Sequence, residues 1–173
     1  MSNFKDRFET LIENQKELKR VFSESAMTLF KETTKEFFEL NPGVKAVIWR
    51  QYTPYFNDGD TCEFGVSCVT FTNAEGEDLN DISWGDYEGE NESIWATENI
   101  QYYLEPIFKG SFASEEKAKL QSKITGVDVA SANLLDSMIQ SSKFSDMLQD
   151  MFGDHVSVIA TRNGFAVESY DHD

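Results

Sequence analysis

The stretch Val44–Phe71, VKAVIWRQYTPYFNDGDTCEFGVSCVTF, decides the fold. It opens with a β-rich run, Val44 to Tyr52, and closes with a second, Cys62 to Phe71. In the second run Cys62, Phe64, Val66 and Cys68 alternate onto one side, the period of a half-buried strand. Between the runs, Pro54 should keep Thr53 extended. Asn57-Asp58-Gly59 supplies the left-handed backbone that a reversal of direction needs. The stretch therefore reads as an antiparallel pair with an elaborate connection. The question it raises is whether that connection is a binding loop, a metal loop or only a hairpin.

Working outward, the C-terminal run HVSVIATRNGFAVESY repeats the pattern. Asn163-Gly164 stands between Val156/Val158/Ala160 and Phe165/Val167, a strong hairpin signal. Upstream, residues 3–40 read as helix. Phe4, Phe8, Leu11, Leu18, Phe22, Leu29 and Phe30 recur at three- and four-residue steps, and Ala26, Thr33 and Phe37 extend the stripe. This is one long helix, or two broken near Ser23–Ser25, ended by Asn41-Pro42-Gly43. Residues 128–153 read as helix with a candidate kink at Ser141-Ser142, turning Leu134, Leu135, Met138, Ile139, Met147, Leu148, Met151 and Phe152 to the core. Short helices are expected at 97–108 and 114–126, and a further strand at 78–84. The expected fold is a single α+β domain over 1–173. An antiparallel sheet of about four to five strands, hairpins 44–71 and 155–170, packs against the N-terminal helix and a C-terminal helical region.

Composition allows a real core: 173 residues, 40% hydrophobic, 14 of them Phe. No run approaches the ~18 apolar residues of a membrane helix, and the charged N-terminus lacks the apolar centre of a signal peptide. A cytoplasmic location is the expectation. Cys62 and Cys68, on one strand, would sit roughly 20 Å apart, too far for a disulfide within it. They read as small buried thiols.

Charge is the strongest lead to function. The net charge is −16, yet residues 51–108 contain no Lys or Arg and 13 Asp or Glu, while residues 1–50 are nearly balanced at +1. Such a surface would not bind nucleic acid through its phosphates. It should attract basic partners instead. Held in order on a folded surface, closely spaced carboxylates could imitate a nucleic-acid backbone, which carries one charge per roughly 1.7 Å of duplex. The aromatic residues in and beside the segment, Trp49, Tyr52, Tyr55, Phe56, Trp84, Tyr87 and Trp95, could stack on a partner's Arg or Lys. For Trp49, Phe56 and Trp84 a core position is the plainer expectation.

Other chemistries are weaker. Asp58, Asp60 and Glu63 offer oxygen ligands to Ca²⁺ or Mg²⁺, but neither Asp58 nor Asp86 starts an EF-hand: the Gly and the terminal Glu are missing. No Cys/His spacing suits zinc. Paired acids such as Asp58/Asp60 and Asp78/Asp81 are too common here to mark an acid–base site. No phosphate loop, zincin motif or nucleophile elbow is present. No catalytic residue, metal ligand or cofactor is assigned, and an enzyme is the less favoured reading.

The stretch W-x-QYTPYFNDGD-x-C-x-F-x-V, Trp49 to Val66, resembles a motif in small proteins encoded by tailed bacteriophages. The resemblance implies a context, not an activity: an accessory protein acting in the host cytoplasm. Together with the charge, it implies a protein that binds a basic host protein, for instance a nucleic-acid-binding one, and inhibits or modulates it. The expected binding residues are Tyr55, Asp58, Asp60, Glu75, Glu77, Asp78, Asp81, Asp86, Tyr87, Glu88, Glu90 and Glu92. Two alternatives stand beside this: a divalent-metal-dependent protein built on the loop acids, and a structural or virion-associated protein that oligomerises through the N-terminal helix.

Overall fold

The computed structural model describes residues 3–56, 58–74, 94–95 and 125–169. Their elements run α1 (Phe4–Leu40), β1 (Ala46–Tyr52), β2 (Gly65–Thr72), β3 (Ile94–Trp95), α2 (Val129–Ile139), a 3₁₀ turn (Ser142–Phe144), α3 (Ser145–Phe152), β4 (Val156–Thr161) and β5 (Gly164–Ser169). The strands form one antiparallel sheet in the order β3-β2-β1-β4-β5. The fold is α+β, with both expected hairpins in place. The strand expected at 78–84, the helix at 97–108 and all but the last two residues of the helix at 114–126 lie outside the described residues; Thr125 and Gly126 form a turn.

Strand β1 lies at the centre of the sheet. Val47 and Trp49 join the main core with Phe71 from β2, Val158 and Ala160 from β4, and Phe30, Phe37, Leu135 and Leu148 from the helices. Ala46 and Ile48 point the other way and form a second buried cluster with Ile159. A strand buried on both faces needs a continuous apolar run, and AVIW supplies it. Opposite Trp49, β2 shifts register between the partners of Ile48 and Arg50, a bulge that places one extra residue there. Strand β2 begins at Gly65, so Cys62, half-buried, precedes the strand instead of sharing its face.

The structure decides between the alternatives the sequence left open and departs from it in which apolar residues face the core. Helix α1 is one unbroken helix of 37 residues. Its large apolar residues do not all face the body: Phe30 and Phe37 are buried, while Phe4, Phe8, Leu11, Leu18, Phe22 and Leu29 are exposed. The helical region 128–153 breaks at Ser141, whose hydroxyl accepts from the Lys143 N–H and opens the 3₁₀ turn. Leu134 is exposed there, because the core-facing stripe of α2 runs through Ala132, Leu135 and Ile139. The β4–β5 loop is Arg162-Asn163, with Thr161 paired to Gly164. Gly164 carries the positive φ of 132°.

A few polar contacts tie the elements of the body together. Asn41, fully buried at the end of α1, donates to the Phe37 carbonyl and the Ser131 hydroxyl at 2.9 Å each and accepts from the Asp128 N–H at 2.6 Å. Asp128 in turn caps α2 by accepting from the Ser131 N–H. Arg162 donates to the Phe38 carbonyl at 2.8 Å, so a cation from the far hairpin meets the negative end of α1.

Candidate docking surfaces

Two surfaces stand out. The first is the β1–β2 connection. Asp154 anchors its start by accepting from the Thr53 N–H at 2.8 Å and the Thr53 hydroxyl at 2.7 Å. It also accepts from the His155 N–H at 2.8 Å. Burial opposes ionisation of Asp154, but the Thr53 and His155 donors outweigh it, and the carboxyl titrates below its ordinary value. His155 holds φ at 54°, rare for a residue with a Cβ. Its ring stacks on Tyr55, with centroids 4.6 Å apart and planes at 12°.

Beyond that anchor the chain runs outward. Tyr55 and Phe56 are exposed, at 68% and 77%. Phe56 is therefore a surface residue, contrary to the core position expected of it, whereas Trp49 is wholly buried. Asp58 and Gly59 take successive positive φ values, 44° and 96°, and turn the chain back; Asp58 and Asp60 are both exposed. Of the twelve expected binding residues, this loop thus brings together Tyr55, Asp58 and Asp60. Glu75, Glu77, Asp78, Asp81, Asp86, Tyr87, Glu88, Glu90 and Glu92 lie outside the described residues. Among the described residues, no three His, Cys, Asp or Glu side chains gather into a metal-binding group.

The second surface is helix α1. Every residue from Asn3 to Phe22 is exposed. The body holds the later turns, through Phe30, Thr34, Phe37 and Phe38 in the core and through polar contacts to α3: Lys19 to Asp146 at 3.1 Å and Ser23 to Asp150 at 3.3 Å. The first turns form a stalk about 28 Å long at 1.5 Å per residue. Its start is closed by a capping box between Asn3 and Asp6. Arg20 stiffens the middle, donating to Glu17 at 2.7 Å and to Glu24 at 2.6 Å.

One side of this stalk is apolar. Phe4, Phe8, Leu11, Leu18, Phe22 and Leu29 fall on a single alternation of four- and three-residue steps, interrupted only by Gln15 and Ser25. That is the a/d spacing of a coiled-coil seam. Large apolar side chains lined along a solvated helix mark an interaction surface. Farther along α1, an apolar groove of about 560 Å³ opens between α1 and α2, lined by Phe37, Leu40, Leu134, Leu135 and Met138 among others. Among the described residues, no helix is long and apolar enough to cross a membrane. No known protein family, curated protein or solved structure matches the chain.

Proposed function

We propose that this protein acts by binding other protein, with the exposed seam of α1 as its main docking element. The observation that carries the reading is the exposure of six large apolar residues at strict heptad spacing, with Ile12 and Val21 exposed beside them. A helix whose first turns are solvated on every side is marginal in water. Packing against a second helix would supply the missing stability and bury the seam. The test is the pair Leu11→Glu and Leu18→Glu, which places charge in the seam without touching the body. Loss of every helix-dependent association, with the body still folded by near-ultraviolet circular dichroism, supports the reading. Association unchanged by both charges would overturn it.

A second reading keeps the acidic surface as a site for a basic partner, a host protein if the chain is phage-encoded. The exposed grouping of Tyr55, Phe56, Asp58 and Asp60 at the tip of a braced loop favours it. Aromatic faces beside carboxylates suit Arg and Lys side chains. Capture of a basic protein that is released by salt, and lost with Tyr55→Ala plus Asp58→Asn, would support this surface. Capture indifferent to those changes would remove the loop from consideration.

A further inference from the structure

We infer that the partner of the α1 seam is a second copy of this chain, bound antiparallel, so that two stalks form a short two-stranded coiled coil. The inference rests on the docking reading above and names its occupant.

The length is sufficient. The seam runs from Phe4 to Leu29, about 39 Å at helical rise and more than three heptads, the span over which such a pattern sustains a coiled coil. It also stays open along its full course. Leu29 and Ser25 remain exposed even where the opposite side of α1 is packed on the body through Met27 and Phe30. The seam therefore remains accessible to a partner helix past the stalk, at Ser25 and Leu29.

Antiparallel pairing sorts the seam residues into matched layers. Phe4 meets the other copy's Leu29, and Leu11 meets its Phe22. Phe8 falls opposite Ser25, and Gln15 opposite Leu18. Each Phe thus packs on a smaller residue, whereas a parallel pair in register would stack Phe4, Phe8 and Phe22 on themselves. The arrangement is isologous and closes after two copies.

Charge selects the same orientation. The positions flanking the seam carry Lys5, Arg7 and Lys19 and no acid. The stalk, residues 3–22, holds five Lys or Arg against four Asp or Glu, in a chain of net −16. A parallel pair would bring two acidic bodies to the same end. The antiparallel pair separates them and lays each slightly basic stalk toward the other copy's body. Lys5 then comes to the flank of the second copy's α1 on which Asp146 and Asp150 stand, as their contacts with Lys19 and Ser23 show.

The test measures mass and orientation on the full chain. Light scattering at tens of micromolar should give twice the 19.7 kDa chain mass. Leu18→Glu with Phe22→Glu should return it to one chain mass while the body's near-ultraviolet spectrum is kept. Lys16→Ala, off the seam, should leave the dimer intact. For orientation, chains carrying Phe8→Cys are mixed with chains carrying Ser25→Cys and oxidised, and the joined peptides are identified by mass spectrometry. The expected product is the mixed disulfide, joining position 8 of one chain to position 25 of the other. A disulfide joining two Phe8→Cys chains to each other at the substituted position would overturn the antiparallel arrangement. A wild-type chain that stays monomeric at these concentrations would overturn the inference. If that monomer still captures another protein only while the seam is intact, the docking reading survives and the second-copy occupant alone fails.

Discussion

At the scale of single residues, the centre of the molecule depends on Gln51. It is fully buried and links β1 to the end of α3, donating to the Leu148 carbonyl at 3.0 Å and the Gly153 carbonyl at 2.6 Å while accepting from the Trp49 indole at 3.2 Å. Gln51→Leu keeps the volume but leaves those groups without their partner in a dry interior. The expected loss is about 2–3 kcal/mol, read from urea unfolding, since each orphaned buried group costs ~1–3 kcal/mol. A stability within about 0.5 kcal/mol of wild type, on the scale of an ordinary surface change, would mean that water reaches those carbonyls. Asp154 gives a pH-dependent counterpart. Its carboxyl is held below its ordinary value, so it stabilises the fold above the unfolded-state pKa, and that contribution disappears as pH falls through the lower folded value. Thr53→Val removes one donor. The variant should be less stable than wild type by about 1 kcal/mol at pH 7, and the two should converge below both pKa values. Parallel stability curves across that range would show that Asp154 does not draw its stabilisation from Thr53. Trp49 was legible as a core anchor from its place in an apolar run. The role of Gln51 was not, because a polar residue in a strand gives no sign of whether it faces water or a helix end.

At the scale of elements, the sequence carried the hairpins and the break in the C-terminal helical region, since Gly, Asn and Ser act on the backbone locally. It did not separate the two stripes of α1. The seam ends at Leu29 and the body-facing stripe begins at Met27 and Phe30, so seven residues read together as one stripe divide between solvent and core. Periodicity reports that a helix has an apolar side, but not which neighbour covers it. The turn between α1 and β1 shows a close approach that no pattern reveals. A Cβ on Gly43 would collide with the Thr125 carbonyl oxygen, and the Gly43 N–H bonds to the Gly126 carbonyl at 3.1 Å. Gly43→Ala must push these two backbone segments apart. An overpacking loss of about 1–3 kcal/mol is expected in thermal or denaturant unfolding. An unchanged midpoint would show that the 125–126 turn yields freely.

For the whole molecule, the design is a braced α+β body with a charged, apolar-edged stalk extending from it. The fold class was readable from the sequence because it follows from alternation and helix periodicity. The candidate site was only partly readable. The charge asymmetry pointed to residues 51–108, of which the structure describes Tyr55, Phe56 and Asp58–Asp60 but not the acids from Glu75 to Glu92. The seam was visible as spacing, yet its importance lies in exposure, a property of the assembled fold. If the stalk works by pairing, hydrogen exchange should report it directly. At tens of micromolar, the amides of residues 8–22 should exchange slowly in the wild type and at least about tenfold faster in Leu18→Glu with Phe22→Glu, an effect of about 1.4 kcal/mol or more. Residues 30–40, anchored in the body, should be protected equally in both. Stalk amides that exchange at one rate in both proteins and at every concentration would contradict a stalk stabilised by packing along its seam.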